Sequence, residues 1–154
     1  MLAPSATAAP SAFGFEPGDC VNRHEHANLE RARQYLAAIE AGDRDRVLAF
    51  YHPEVVQEEL PNRLVPAGAT RDLAALRDAS VRGAQVMSAQ RYEIRRAYAV
   101  ADSVILEVLW VGTVAVPLGT LAVGHEMRAH FAVFLDFVDG RIYRQRNYDC
   151  FEAF

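Results

Sequence analysis

EMRAHFAVFLDFVDGRIYRQRNYDC, residues 126–150, reads as two strands joined by Asp139-Gly140. Asp-Gly between β-rich runs is a strong hairpin signal, because a two-residue turn needs backbone that these residues adopt readily. Working back along the chain, Val104 to Thr113 and Tyr92 to Val100 are also rich in β-branched and aromatic residues, with a turn at Ala101-Asp102-Ser103. Four consecutive strands pair most simply as an antiparallel meander. Pro117 to Gly124 reads as a longer loop within it.

The first half has a different period. Leu29, Ala32, Leu36 and Ile39 recur at helical spacing, Asn22 and Glu25 have the spacing of a capping box, and Gly42 is placed to end the helix. Tyr35 borders that stripe. Asp43 is expected to cap a short helix through Val47, Leu48 and Tyr51, stopped by Pro53. Glu54 to Leu60 reads as a strand, and Pro61 to Gly68 as a loop. A third helix is expected from about Asp72 to Met87, with Leu73, Leu76, Ala84 and Met87 inward. The expected fold class is α+β: three N-terminal helices packed on a curved, mixed but mostly antiparallel sheet, a cone-shaped cystatin-like roll with a central pocket. Residues 1–21, rich in Ala, Pro and Ser, read as a flexible arm, and residues 22–154 as a single domain.

Composition narrows the function classes. Net charge is -4, with 16 basic and 20 acidic side chains, which argues against a nucleic-acid surface. Arg141, Arg144 and Arg146 read as a solvated strand face. No apolar run has the length of a membrane span, and the N-terminus lacks the pattern of a secretory signal. The two cysteines, Cys20 and Cys150, form no CxxC; a disulfide between them is neither demanded nor excluded, and a reducing cytoplasm is the default. The five histidines form no compact cluster with acids, so neither a metal nor a cofactor is expected.

Two stretches carry a resemblance. The first is YLAAIEAGD (35–43) followed by FYHPEV (50–55); the second is DGRI (139–142) followed by RNYD (146–149). Together they resemble the SnoaL-like, ketosteroid isomerase-like branch of the nuclear-transport-factor-two-like superfamily, over about residues 25–154. The resemblance implies the fold above, a pocket for a small molecule and a homodimer. It places Tyr35 where isomerases hold an oxyanion-stabilising tyrosine and Glu59 where they hold a general base. Their second acid falls on Val133, which has no proton to donate. Limonene epoxide hydrolases resemble the last strand, but the final acid of their set falls on Asn147.

Strand alternation supplies an independent reading. Gln145, Asn147 and Asp149 share one face, as do Gln57 and Glu59 with Val55; a slip of one residue would put Glu58 in place of Glu59. Phe131, Val133 and Trp110 would line the opposing apolar wall. With the roles the resemblance implies, the catalytic candidates are Glu59 as base and Tyr35 as oxyanion donor, and alternation adds Asp149 as a second acid–base group. Asn147, Gln145, Gln57, Trp110, Phe131 and Val133 are candidates for substrate contact. The expected activity is proton transfer next to a carbonyl on a small, partly apolar substrate, of the isomerase or polyketide cyclase kind; the alternative is a non-catalytic ligand-binding or dimerisation domain. Ile105, Leu109, Val111, Ala132 and Phe134 on the outer sheet face suit a two-fold dimer.

Overall fold

Asp139 and Gly140 both have positive φ (50° and 68°), as the expected two-residue hairpin turn requires. The computed structural model describes residues 23–154; the expected arm, Cys20 and Asn22 lie outside them. The elements are α1 (Arg23–Glu40), α2 (Arg44–Ala49), β1 (Tyr51–Glu59), β2 (Ala69–Arg71), α3 (Leu73–Val86), β3 (Met87–Val100), β4 (Ser103–Val114), β5 (Glu126–Val138) and β6 (Arg141–Phe151). They form a six-stranded sheet in the order β2-β1-β6-β5-β4-β3. β1 runs parallel to β6 and every other pair is antiparallel, so the sheet is mixed as expected.

Three boundaries differ from the sequence expectation. Asp43 does cap α2, accepting from the Arg46 amide at 3.1 Å, but the helix ends at Ala49 and Tyr51 opens β1. Pro53 therefore lies inside a strand rather than stopping a helix. β2 covers β1 only at residues 57–59, and the β1–β6 register shifts between Tyr51 and Val56. Around Pro53 the strand is thus an open edge with an interrupted ladder, where a missing N–H is tolerated. Second, Ala69–Arg71 is a short strand where no regular structure was expected, directly before the Asp72 cap of α3. Third, Met87 belongs to β3, and Ala84 does not reach the core; on α3 only Leu76 is buried.

Alternation sorts the sheet into two faces. On β4 Val104, Leu106, Val108 and Trp110 are buried, while Ile105 and Leu109 are half-buried and Glu107 exposed. On β5 the buried set is Met127, Ala129, Phe131, Val133, Leu135 and Phe137. Burying each large apolar side chain contributes about 1.5–3 kcal/mol. α1 lies across β3 and β4, and α3 spans from β1 to β3. The edge strand β3 is capped by α1: Glu25 accepts from the Ala101 amide at 2.8 Å and Glu40 from the Tyr92 amide. Glu40 thus satisfies an edge donor of β3 that would otherwise invite pairing with another chain, and Glu25 ties down the turn that follows β3.

Candidate functional site

Leu76 is the one fully buried side chain of α3, with Leu73 partly buried against the core, and beyond them the helix faces open space. The result is a cavity of about 580 Å³ between α3, the end of α1, α2 and the concave face of the sheet. Small residues of α3, namely Ala79, Ser80, Gly83 and Ala84, line its roof.

The polar wall is set by the one parallel pairing. It places Gln57 opposite Gln145 and Glu59 opposite Asn147. Alternation then brings Asp149 to the same side. Glu59, not Glu58, faces the cavity: Glu58 is exposed, while Glu59 lines the cavity with Gln57, Asn147 and Asp149. The antiparallel pairing of β6 with β5 sets Phe131 opposite Asp149 and Val133 opposite Asn147. An apolar wall thus abuts the polar one, made of Phe131 stacked on Trp110 (5.5 Å, 22°), with Phe151 edge-on to both and Tyr92 beside Phe131.

The acids differ in their surroundings. Glu59 Oε2 accepts from Arg71 Nη1 at 2.7 Å, and Glu59 Oε1 accepts from Asn62 Nδ2 at 2.8 Å. Arg71 Nη1 also donates to Gln57 Oε1 at 2.8 Å. Both oxygens of Glu59 are therefore committed, not held free in the apolar surroundings expected of a base. Among the described residues, buried Asp149 Oδ1 has no hydrogen-bond partner. Burial raises the Asp149 pKa from 3.8 to about 7, helped by the negative charge of Glu59 and opposed by an Asn147 hydrogen bond and the charge of Arg71.

The structure places Tyr35 beneath the cavity floor. Its side chain is buried and absent from the lining, and Tyr51 stands between it and the cavity. Tyr35 Oη lies 2.6 Å from Tyr51 Oη and 3.2 Å from Gln145 Oε1, and Tyr51 Oη is 2.9 Å from the same Gln145 oxygen. Two hydroxyl protons serve three contacts. One phenol therefore donates to Gln145 while the other donates to that phenol. Burial raises both tyrosine pKa values, so both stay protonated. Gln145 Nε2 donates to Asn147 Oδ1 at 2.9 Å, which leaves Asn147 Nδ2 for Asp149. Gln145 and Val133 are buried under the floor and, like Tyr35, do not line the cavity.

Sequence reasoning missed Tyr51, Arg71 and Tyr92, which all line the cavity. Alternation with Gln90 and Ile94 would have found Tyr92. No local pattern marks a three-residue strand, so Arg71 had no signal. We expect Arg71→Gln to leave Glu59 and Asp149 as facing acids without a compensating cation. The Asp149 titration, followed by carboxyl NMR, should then move upward; an unchanged midpoint would show that Arg71 does not act on it.

Among the described residues no group of three or more His, Cys, Asp or Glu side chains is arranged to hold a metal ion. No helix among them is long and apolar enough to cross a membrane.

A family model described as SnoaL-like domain matches residues 32–145. No curated protein matches in sequence. Solved structures share the fold at low identity. AclR from Streptomyces galilaeus, provisionally described as a hydroxylase, is 16% identical over 82% of this chain and 80% of its own, with a TM-score of 0.69. IdmH from Streptomyces antibioticus, provisionally described as a polyketide cyclase, is 14% identical over 79% and 91%, with a TM-score of 0.68. An LEH-like epoxide hydrolase of M. tuberculosis is 19% identical over 82% and 84%, with a TM-score of 0.64.

Proposed function

The chain belongs to the SnoaL-like domain family, and from that footing we propose that its cavity binds a small, partly apolar carbonyl compound and moves a proton beside the carbonyl. The observation that carries this is Asp149: a carboxyl group whose buried Oδ1 has no partner among the described residues, in a cavity walled by aromatic rings. A carboxyl titrating near neutrality is matched to taking and returning a proton. In this reading the Asp149 carboxylate removes the proton from the α-carbon and becomes the neutral acid; the substrate becomes the enolate. The same proton is then delivered back to carbon. Tyr35 donates to Tyr51, and Tyr51 turns from Gln145 to the substrate oxygen, so each donor strengthens the next. Gln57, Gln145 and Asn147 orient these groups, Glu59 acts on Asp149 through its charge, and Trp110 and Phe131 hold the apolar part, with Val133 packed beneath. Polyketide cyclisation, the reaction named for IdmH, also begins beside a carbonyl, which agrees with this class.

The test uses 2-tetralone, a bicyclic ketone with acidic α-protons. In deuterated buffer near neutrality the protein should accelerate α-proton exchange, followed by proton NMR. Exchange at the buffer rate, together with calorimetric binding of the planar analogue 2-naphthol, would instead make the cavity a binding module.

We also propose that the chain forms a homodimer through the outer face of the sheet, and a cytoplasmic location suits its exposed Cys150, a free thiol among the described residues. Ile105, Leu109, Ala132 and Phe134 are only half-buried there, Tyr148 is exposed beside Phe134, and Val111, expected on the same face, is buried within the chain itself. Sedimentation should give the mass of two chains, and Phe134→Glu the mass of one. A wild-type monomer at micromolar concentration would reject the interface.

A further inference from the structure

Trp110 is the single tryptophan of the chain and part of the apolar wall. Its position depends on what is absent two residues later. A β-carbon on Gly112 would overlap Cη2 and Cζ2 of the Trp110 ring. Gly112 therefore supplies the space in which the indole lies flat against the sheet. The cross-strand register explains the direction: Trp110 stands opposite Tyr92, and Gly112 stands opposite Gln90. The indole crosses over Gly112 to reach Gln90, where Nε1 donates to Oε1 at 3.1 Å. The same Gln90 oxygen accepts from the Tyr92 phenol at 3.0 Å. One amide oxygen thus pins two rings of the wall, and Gly112 allows it to do so.

The ring has no easy retreat. Phe131 stacks on it and Phe151 meets it edge-on. Trp110 itself is buried, so the clash cannot be relieved by turning a loose end into solvent. A methyl group at Gly112 would lift the indole off the sheet, part it from Gln90 and push it into the cavity.

We propose that Gly112 is a specificity-determining positioning residue: by seating the Trp110 indole on bare backbone, it sets the depth of the cavity and the size of the ring system admitted. The inference rests on the cavity being the ligand site. Strand stability would not predict a loss, because Gly→Ala inside a strand ordinarily strengthens the strand. Here the change acts on the ligand.

The experiment compares the wild type, Gly112→Ala, Trp110→Ala and the double variant. Gly112→Ala should alter the wavelength and intensity of the lone indole's emission and weaken 2-naphthol binding about tenfold, the usual scale of an overpacked site. In the Trp110→Ala background the same Gly112→Ala change should shift 2-naphthol affinity by less than about twofold, since its clash partner is gone. Wild-type emission and affinity in Gly112→Ala would overturn the proposal, as would an equal loss in both backgrounds. If Gly112→Ala does not fold, the cycle still decides: rescue of folding by Trp110→Ala supports the proposal, and failure of both variants rejects it. A wild-type protein that does not bind 2-naphthol would count against the ligand site, while the emission comparison would still decide the role of Gly112.

Discussion

Asp149→Asn should lower the exchange of 2-tetralone α-protons by about 10²–10⁴-fold, the range typical of a lost general acid–base group. Asparagine keeps the shape and the hydrogen-bonding capacity of the side chain but takes no proton at neutral pH. Binding should survive, because the aromatic wall of Trp110, Phe131 and Phe151 is untouched. The expected signature is therefore a fall in rate with 2-naphthol affinity nearly unchanged. Glu59→Gln provides the contrast. Glu59 is committed to Arg71 and Asn62, so its removal should act through Asp149. Its charge is one cause of the raised Asp149 pKa, and the activity profile should shift toward lower pH with catalysis retained. If Glu59→Gln abolished exchange and Asp149→Asn left it intact, the base would be Glu59, as the sequence alone suggested.

The same carboxyl group makes stability depend on pH in an unusual direction. Its pKa is raised from 3.8 to about 7 on folding. Between those values the folded chain holds a proton that the unfolded chain has released, so stability falls as pH rises. The contribution is fully present below about pH 4 and lost as the pH passes about 7, a difference on the order of 2–4 kcal/mol. Asp149→Asn carries no charge to bury. It should match the wild type in urea denaturation at pH 4 and exceed it at pH 8, where the wild type must hold a buried carboxylate. Parallel curves for the two proteins across that interval would show that Asp149 titrates normally. Together with the first prediction, this gives a variant that is inactive and more stable, the pattern of a site maintained at the expense of the fold.

Much of this site was legible locally. The alternation of Gln145, Asn147 and Asp149 put three polar groups on one face, and the structure puts all three on the concave side. The helix stripe through Ala32 and Leu36, the Asp43 cap and the start of α3 next to Asp72 are short-range features, and they hold. The misplacements share a cause. Pro53 reads as a stop that leaves Tyr51 in a helix, yet an open edge with a shifted register accommodates that proline. The resemblance places Tyr35 in the pocket, but a matched position does not fix depth: Tyr51 from β1 lies over it.

Turn chemistry and hydrophobic period, which are properties of neighbouring residues, were enough to determine from the sequence the α+β class, the antiparallel meander and the polar face of its last strand. Tertiary structure alone decided that Glu59 is ion-paired with Arg71 while Asp149 Oδ1 has no partner among the described residues. That outcome depends on β1 running parallel to β6 and on Arg71 arriving from a three-residue strand, and both contacts are long-range. An acid's chemistry follows from the charges and the water around it, and those come from parts of the chain distant in sequence.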